Sequence, residues 1–562
     1  MGSVPATEEA YVIEEHPINE PRPLRIIVVG AGASGLCFAH AAQTHLRNVE
    51  VVLYEKNPSI GGTWYENKYP GVGCDIPSHN YQFSWNPNPD WSQFFAGGAE
   101  ILKYFQDTAI KFDLDKYIKL KHKVTGAVWD EDEGKWTVTV ENQETSKVFE
   151  DYGHFLINGS GFLNNWKLPD IPGISSFKGE LLHTAGWKDG TTFEGKTVAL
   201  IGNGSSGIQI LPELQKGAKQ VIATIRSATW ITPAFAQTHA GPRGANFSYT
   251  DEQKKEFRDD ETKYMKYQKE LESELSAGFA LVYKDSEYQG QARALVEQMM
   301  RHSIGENKSL ADILIPDFGL LCRRPTPGVG YLEALTEKNV RVVMDHVSEI
   351  VPEGLKLPSG ETIAVDMIIC ATGYDLSWRP RFPIVGRNKI NLQDLYKDRP
   401  VGYLGLAAPD MPNCFVYFGP NSPLAHGSAL PSLEHITSYM VRMIHKTQTQ
   451  GYHSFEPTQK AASDFIKHAD AFFPRTVWGT KCRSWFKGGK EDGPVYALHP
   501  GSRAHWFCTM NEPRYEDYSW KRSSDNTFAY LGNGFSLREV EKSDLAWFLG
   551  RQEGEAYRTV TY

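Results

Sequence analysis

The sequence lacks the features that mark membrane proteins, metalloproteins and disulfide scaffolds. No apolar stretch approaches the roughly 18 residues of a membrane-spanning helix. Its seven cysteines are scattered without a CxxC pair, so nothing signals a disulfide framework, a structural zinc site or a thioredoxin-like redox pair. No HExxH spacing is present, and we expect no metal.

The sequence also shows neither a long basic run nor the pattern of a signal peptide. The net charge is −9 without a long basic run, so we expect neither nucleic acid nor a membrane as a partner. Residues 1–24 are acidic and lack the basic-then-apolar order of a signal peptide. Together with the scattered cysteines, this predicts a cytoplasmic enzyme in a reducing compartment. The length of 562 residues predicts two or three domains, and we expect a monomer or a small homo-oligomer.

A glycine-rich turn stands between a predicted strand and a predicted helix near the N-terminus. The apolar, β-branched run 24–29 leads into the turn, and the helix-compatible run 36–46 follows it. In a dinucleotide-binding fingerprint, successive glycines make the tight turn, admit the pyrophosphate and let the helix pack on the strand. The residues of this turn that we assign to a cofactor are Gly30, Gly32, Ser34 and Gly35.

The same arrangement recurs later in the chain. The predicted strand 197–201 leads into a second glycine-rich turn, and a helical pattern begins at Ile208. Two fingerprints in one chain predict two dinucleotides. The residues assigned to the second cofactor are Gly202, Gly204, Ser205, Ser206, Gly207 and Gln209.

The strand after each turn ends in a residue of different charge. The run 49–54 ends at Glu55, whose carboxylate can accept hydrogen bonds from ribose hydroxyls and would repel a 2′-phosphate. The run 221–225 ends at Arg226, whose guanidinium can pair with such a phosphate. The first turn is therefore predicted to bind FAD and the second NADPH, unless Arg226 is a surface residue without a ligand.

The order of these units predicts an α/β protein with two Rossmann-like dinucleotide-binding domains, one of them discontinuous. We expect residues 1–165 to form the first part of the FAD domain and residues 166–370 the NADPH domain. Residues 371–562 would complete the FAD domain and line the substrate site. A helical pattern, with a capping box at Thr250 and Gln253, predicts a helical insertion at about 235–320.

Several further stretches resemble the Baeyer–Villiger monooxygenases, class B flavoprotein enzymes. The run 177–187 matches every fixed position of their FxGxxxHxxxW signature. Its last residue, Trp187, separates it from related flavin monooxygenases that oxidise nitrogen and sulfur. His183 in this run is interpreted as a positioning residue. The runs 482–487 and 499–502 look like fungal-type members, so the resemblance covers nearly the whole chain.

The run 61–81 looks like the segment that wraps the flavin in that family. Its glycines and prolines predict a long, specifically shaped loop and no regular element. The resemblance puts Thr63, Trp64, Asp75 and Tyr81 at FAD, with Asp75 near the nicotinamide as well.

An arginine pair precedes a Pro-Thr-Pro turn and the predicted strand 339–343. On spacing alone, such a pair is as readily a solubilising surface feature. The resemblance instead assigns Arg324 to a place beside the flavin ring and Arg323 to the 2′-phosphate of NADPH.

The resemblance also implies the reaction. FAD, NADPH and O2 would convert a small-molecule ketone into an ester or lactone through a flavin peroxide. Arg324 would act as a fixed cation and Asp75 would orient it, so these two are the predicted catalytic residues. Two alternatives stay open: oxygenation of a sulfur or nitrogen atom, and NADPH-dependent flavin reduction without oxygenation.

Overall fold

The computed structural model describes residues 11–425 and 427–549. The strands are β1 (Leu24–Val29), β2 (Val49–Tyr54), β3 (Ile118–Lys119), β4 (His122–Asp130), β5 (Lys135–Asn142), β6 (Lys147–Gly153), β7 (Phe155–Asn158), β8 (Glu180–His183), β9 (Thr197–Ile201), β10 (Gln220–Thr224), β11 (Ile231–Thr232), β12 (Thr326–Pro327), β13 (Val340–Val343), β14 (Glu349–Val351), β15 (Gly354–Lys356), β16 (Thr362–Ala364), β17 (Met367–Cys370), β18 (Ile384–Val385), β19 (Cys414–Val416), β20 (Tyr452–Pro457) and β21 (Tyr518–Arg522).

The helices are α1 (Ala33–His45), α2 (Thr63–Glu66), α3 (Gly98–Lys111), α4 (Ser205–Gly217), α5 (Asp251–Asp259), α6 (Glu261–Ser276), α7 (Glu287–Ile304), α8 (Lys308–Leu314), α9 (Tyr331–Leu335), α10 (Leu392–Leu395), α11 (Ala429–Thr449), α12 (Gln459–Phe472), α13 (Arg503–Met510) and α14 (Leu537–Val540).

The first parallel sheet has the strand order β19-β7-β1-β2-β3. Strand β1 is almost uniformly apolar because both of its faces are covered. Ile26 and Val28 pack in the core that includes α1 and α11. Ile27 and Val29 pack against the sheet β18-β4-β5-β6 on the other side. Strand β19 joins this sheet from far along the chain, so the chain leaves the first unit and returns to it.

The second parallel sheet has the strand order β13-β10-β9-β17-β8. Val198 and Leu200 of β9 face a core that includes α4, α7 and α8. Ala199, between them, faces the small sheet β14-β15-β16. These two sheets, each covered on both faces, give the α/β fold with two Rossmann-like units that the sequence predicts. The domain boundaries at 165/166 and 370/371 stay a prediction.

Helices α5 to α8 fall within the stretch predicted as an insertion. The predicted capping box is present at the start of α5, where Thr250 and Gln253 satisfy each other's backbone N–H groups. Phe257 of α5 and Tyr264 of α6 are buried against Ile76 and Phe94. The insertion therefore packs on the loop that the sequence assigns to the flavin.

Two predictions from the sequence were wrong. The cysteines were expected to be reduced, but Cys322 and Cys482 form a disulfide between Cα atoms 6.5 Å apart. These residues are 160 positions apart, and no local spacing signals such a pair. The segment 61–81 was expected to hold no regular element, yet it contains the short helix α2 and a 3-10 turn at 78–80.

Two further expectations concern the termini and the membrane. Residues 1–10, on which the interpretation of the N-terminus partly rests, lie outside the described residues, as do residues 550–562. Within 11–425 and 427–549, no helix combines the length and the apolar character needed to cross a bilayer.

Candidate active site

The first glycine-rich turn joins β1 to α1. Gly30 has a φ of +100°, and a Cβ there would lie 2.8 Å from the carbonyl oxygen of Gly159. Gly35 packs so closely on the turn that a Cβ would lie 2.2 Å from the carbonyl oxygen of Gly30. Gly32 begins α1 without a side-chain cap, and Ser34 lies half-buried in its first turn. The positive end of the α1 dipole is therefore open to an anion.

Glu55 lies at the end of β2 and is only 4% exposed. Its two carboxylate oxygens accept hydrogen bonds from the backbone N–H groups of Ala31 and Asn57, each at 2.8 Å. Burial nevertheless raises the pKa of Glu55 above its ordinary value. Each oxygen retains a lone pair, so the side chain can still accept hydrogen bonds from ribose hydroxyls.

The second glycine-rich turn joins β9 to α4 in the same way. Gly202 has a φ of +109°, and a Cβ there would lie 2.6 Å from the carbonyl oxygen of Ala371. A Cβ on Gly207 would lie 2.2 Å from the carbonyl oxygen of Gly202. Gly204 begins α4 without a side-chain cap, and no described atom lies within 4 Å of the Cβ position there. This open space suits the approach of a phosphate to the backbone.

The other residues assigned to the second turn lie on the first turns of α4. The Ser205 hydroxyl lies 3.4 Å from that of Thr326. Ser206 lies near the Tyr69 hydroxyl. Gln209 accepts a hydrogen bond from Tyr69 at 2.7 Å and donates one to the Gly73 carbonyl at 3.0 Å. Gln209 therefore joins the NADPH-type turn to the flavin-type loop 61–81, which brings the two predicted cofactor sites together.

Loop 61–81 brings the side chains of Trp64 and Tyr81 into contact. Thr63 begins α2, and Trp64 next to it is buried. The Trp64 indole N–H donates to the Tyr81 hydroxyl at 3.1 Å, and the two rings meet edge to face. Burial raises the pKa of Tyr81 above its ordinary value, so its hydroxyl stays protonated.

Asp75 and Arg324 form an ion pair at the centre of the predicted site. The Arg324 Nη2 atom donates to both carboxylate oxygens of Asp75, at 3.0 and 2.9 Å. The Nη1 atom makes only a long contact of 3.4 Å with the Leu424 carbonyl. The carboxylate raises the pKa of the Arg324 guanidinium, which stays charged. Both side chains are about a quarter exposed, 25% and 27%, so the pair is open to a ligand.

Strands β11 and β12 bring Arg324 to this place. Ile231 pairs with Thr326 in parallel register, so the two ends of the helical insertion lie side by side. The arginine pair stands one residue before β12 and therefore lies at the base of the insertion. The Phe235 ring, from the other end, lies 5.9 Å from the Arg324 guanidinium.

Arg323 and Arg226 lie at the carboxyl edge of the second sheet. Arg323 donates to the Ala228 carbonyl and to the Thr229 hydroxyl, both at 3.2 Å. Burial, and next the charge of Arg226, lower the pKa of Arg323. Arg226 itself is exposed and lies two residues beyond β10, which ends at Thr224 and not at residue 225 as predicted. Neither arginine has a carboxylate partner within the described part of the chain.

His183 and Trp187 of the 177–187 signature both lie in the second unit. His183 ends β8, is buried, and accepts a hydrogen bond from the Ala185 N–H at 3.1 Å. Its ring stacks on Trp166 at 4.8 Å, and burial lowers its pKa, which keeps the ring neutral. Trp187 packs against the core of the second unit. These contacts agree with a positioning role and not with a base.

A cluster of three aromatic rings was not predicted from the sequence. Phe162 and Trp378 stack at 5.4 Å, and Trp485 lies 6.1 Å from Phe162. A cavity next to them opens at the end of β7, where Asn158 and Ser160 line it. Crevices at the carboxyl ends of parallel strands are the usual ligand sites of such sheets. The three aromatic residues are far apart along the chain, so no local sequence pattern predicts that their rings meet.

The residues present fit two dinucleotides. The N-termini of α1 and α4 have no side-chain cap and follow glycine-rich turns, so each suits a diphosphate. Glu55 after the first turn suits the ribose of FAD, and Arg226 and Arg323 near the second turn suit the 2′-phosphate of NADPH. Among residues 11–425 and 427–549, no group of three or more His, Cys, Asp or Glu side chains could hold a metal ion.

Comparison with known proteins agrees with this geometry. The flavin-binding monooxygenase-like family matches residues 24–241. The FAD-binding monooxygenase tazF of Aspergillus terreus is 38% identical over 537 residues, which cover 94% of this chain and 95% of tazF. A closed crystal structure of cyclohexanone monooxygenase matches with a TM-score of 0.77 and 25% identity, over 90% of this chain and all of that one.

An oxidized steroid monooxygenase bound to NADP matches with a TM-score of 0.75 and 26% identity, over 89% of this chain and 99% of that one. The match to tazF spans both chains almost completely, and the family match covers the first glycine-rich turn and the second. The chain therefore belongs to the flavin-binding monooxygenase-like family, among its FAD-binding monooxygenases.

Proposed function

We propose that this protein is a Baeyer–Villiger monooxygenase that uses FAD, NADPH and O2 to convert a ketone into an ester or lactone. The observation that carries the proposal is the Arg324–Asp75 pair at the meeting point of the two cofactor turns. A cation in a partly buried site stabilises negative charge that develops on oxygen in the transition state. Oxygen insertion next to a carbonyl creates such charge.

The two catalytic side chains have different tasks. When bound, FAD supplies the redox and oxygen chemistry, with NADPH as the hydride donor. Arg324 offers a permanent positive charge, and its Nη1 and Nε groups make no ion pair within the described ranges. Asp75 holds the guanidinium plane through Nη2 and leaves the other N–H groups to face the reacting oxygen. Asp75 is therefore an orienting residue near the nicotinamide.

The NADPH preference is proposed for the second turn. Gly202, Gly204 and the α4 N-terminus suit the diphosphate, while Arg226 and Arg323 suit the 2′-phosphate. A ribose phosphate carries close to two negative charges at neutral pH, which two guanidinium groups can share. NADH lacks that phosphate and would leave the two like charges uncompensated.

The substrate class can be tested directly. Small cyclic, linear and aryl ketones are each incubated with enzyme and NADPH, alongside a sulfide and a tertiary amine, and products are identified by mass spectrometry. We expect ketone-dependent NADPH consumption with ester or lactone as the product. Conversion of the sulfide or amine without any ester from any ketone would favour heteroatom oxygenation. NADPH consumption without any oxygenated product would favour a flavin reductase.

A further inference from the structure

A disulfide bonds a segment near the C-terminus to the residue that precedes the arginine pair. The disulfide joins Cys482 to Cys322, the residue before Arg323. The segment 482–491 closes on itself, because the Cys482 N–H donates to the Glu491 carbonyl and the Ser484 N–H to the Lys490 carbonyl, each at 3.2 Å. The disulfide and these bonds hold the residue after Cys482, Arg483, close to the edge where Arg323 lies.

The cations of this segment have different surroundings. Lys487 is 1% exposed, and its ammonium donates to the carbonyls of Thr480 and Glu491 at 2.6 and 2.7 Å. Lys481 lies 3.9 Å from the Asp492 carboxylate. Arg483 is exposed, and no carboxylate in the described part of the chain pairs with it. Of these three cations, Arg483 alone has neither a carbonyl nor a carboxylate partner among the described residues.

Arg483 also adds to the positive charge at the edge of the second sheet. After burial and Arg226, the charge of Arg483 is the next cause that lowers the pKa of Arg323. The like charges of Arg226 and Arg483 both act on Arg323, and within residues 11–425 and 427–549 no ion pair joins any of the three guanidinium groups to a carboxylate. Such an arrangement is unfavourable unless an anion occupies it.

We propose that Arg483 is a third cation of the site for the 2′-phosphate of NADPH, held there by the Cys322–Cys482 disulfide. This inference rests on the proposed use of NADPH. A ribose phosphate has three oxygens and can accept from several guanidinium groups at once. Arg226 and Arg323 belong to the second unit. Arg483 comes from a later part of the chain, after the last strand of either parallel sheet. Arg483 would thus add a contact from the C-terminal part of the chain to the nicotinamide cofactor.

The 2′-phosphate can be tested without turnover. The oxidised, FAD-loaded enzyme is titrated calorimetrically with adenosine 2′,5′-bisphosphate and with adenosine 5′-monophosphate, which differ only in that phosphate. Arg483→Ala should weaken binding of the bisphosphate about fivefold to tenfold, because one exposed charged contact is lost. Binding of the monophosphate should change less than about twofold, since its contacts do not include that charge. The matched control Lys481→Ala removes a cation on the other side of Cys482 and should change neither ligand.

The disulfide has its own test. Cys322→Ser keeps all three arginines but releases the segment, and it should weaken bisphosphate binding by a similar factor. The double variant Cys322→Ser/Arg483→Ala should lose no more than the stronger single variant. If Cys322→Ser binds the bisphosphate normally, the tether is refuted. Flavin absorbance and thermal melting verify that each variant is folded.

The outcomes separate this inference from the proposed function. If the unmodified enzyme binds the bisphosphate and the monophosphate equally, the proposed NADPH preference fails. If the bisphosphate is preferred and Arg226→Ala removes the preference while Arg483→Ala does not, the NADPH site stands and the role of Arg483 is refuted. Loss of the preference in both variants supports the third cation.

Discussion

Replacing Arg324 by alanine should abolish ester formation far more than it weakens flavin binding. In the structure the guanidinium is held by two hydrogen bonds to Asp75, at 3.0 and 2.9 Å, and its remaining N–H groups make no ion pair within the described residues. The group is therefore fixed before any substrate arrives. Such a preorganised donor needs no rearrangement when negative charge develops on oxygen. Its loss should therefore lower the reaction rate much more than it weakens binding.

The magnitude follows from that arrangement. Loss of one preorganised electrostatic donor typically lowers a rate by about a hundred- to a thousandfold. Arg324→Lys keeps the charge but loses the planar fork, so one ammonium cannot both pair with Asp75 and face the reacting oxygen as the guanidinium does. We expect partial activity at most from that variant.

The assay compares ester yield per NADPH consumed, together with the FAD content of each variant. The unmodified enzyme should couple NADPH consumption to ester, whereas Arg324→Ala should retain FAD and release hydrogen peroxide in place of ester. Flavin reduction is followed separately, because Arg324 lies beside the predicted nicotinamide site. If Arg324→Ala forms ester at the unmodified rate, the assignment of the cation is refuted.

The other predictions concern the cofactors and the disulfide. Arg226→Ala should raise the KM for NADPH about tenfold and leave that for NADH nearly unchanged, and equal use of both cofactors by the unmodified enzyme would contradict this. The purified protein should be yellow with one FAD per chain, and Gly30→Ala should be colourless, because the new Cβ would clash with Gly159 at a φ of +100°. Reduction of the Cys322–Cys482 bond should lower the melting temperature, since closure of a long loop stabilises by about 2–4 kcal/mol. An unchanged melting temperature with two additional thiols in a thiol titration would refute that stabilisation.

The local parts of the fold could be predicted from the sequence. Strands β1 and β2 occupy the predicted ranges, because a strand covered on both faces has a continuous apolar run that is readable on its own. The capping box at Thr250 is equally local, since its two residues are three positions apart. The end of β10 was predicted one residue too late, because Ile225 is buried and apolar although it has left the strand.

The contacts that build the site are not local. Asp75 and Arg324 are 249 positions apart, and only the resemblance to a known family brought both to the same site. The Cys322–Cys482 pair and the stacked Phe162 and Trp378 rings had no such guide and were missed. The hydrophobic pattern and the residue spacing of a sequence predict contacts within one strand or one helix turn. These pairs form only when distant parts of the chain pack together.

Oxygen insertion by this enzyme can be tested directly by following the oxygen atoms of O2. The enzyme is supplied with NADPH, a ketone that it accepts and ¹⁸O2 in unlabelled water, and the ester is analysed by mass spectrometry. Each ester molecule should carry one ¹⁸O atom, at the ring or bridging oxygen, and one ester should form per NADPH consumed. Ester without label, or NADPH consumption that yields only hydrogen peroxide with every ketone, would contradict oxygen insertion by this enzyme.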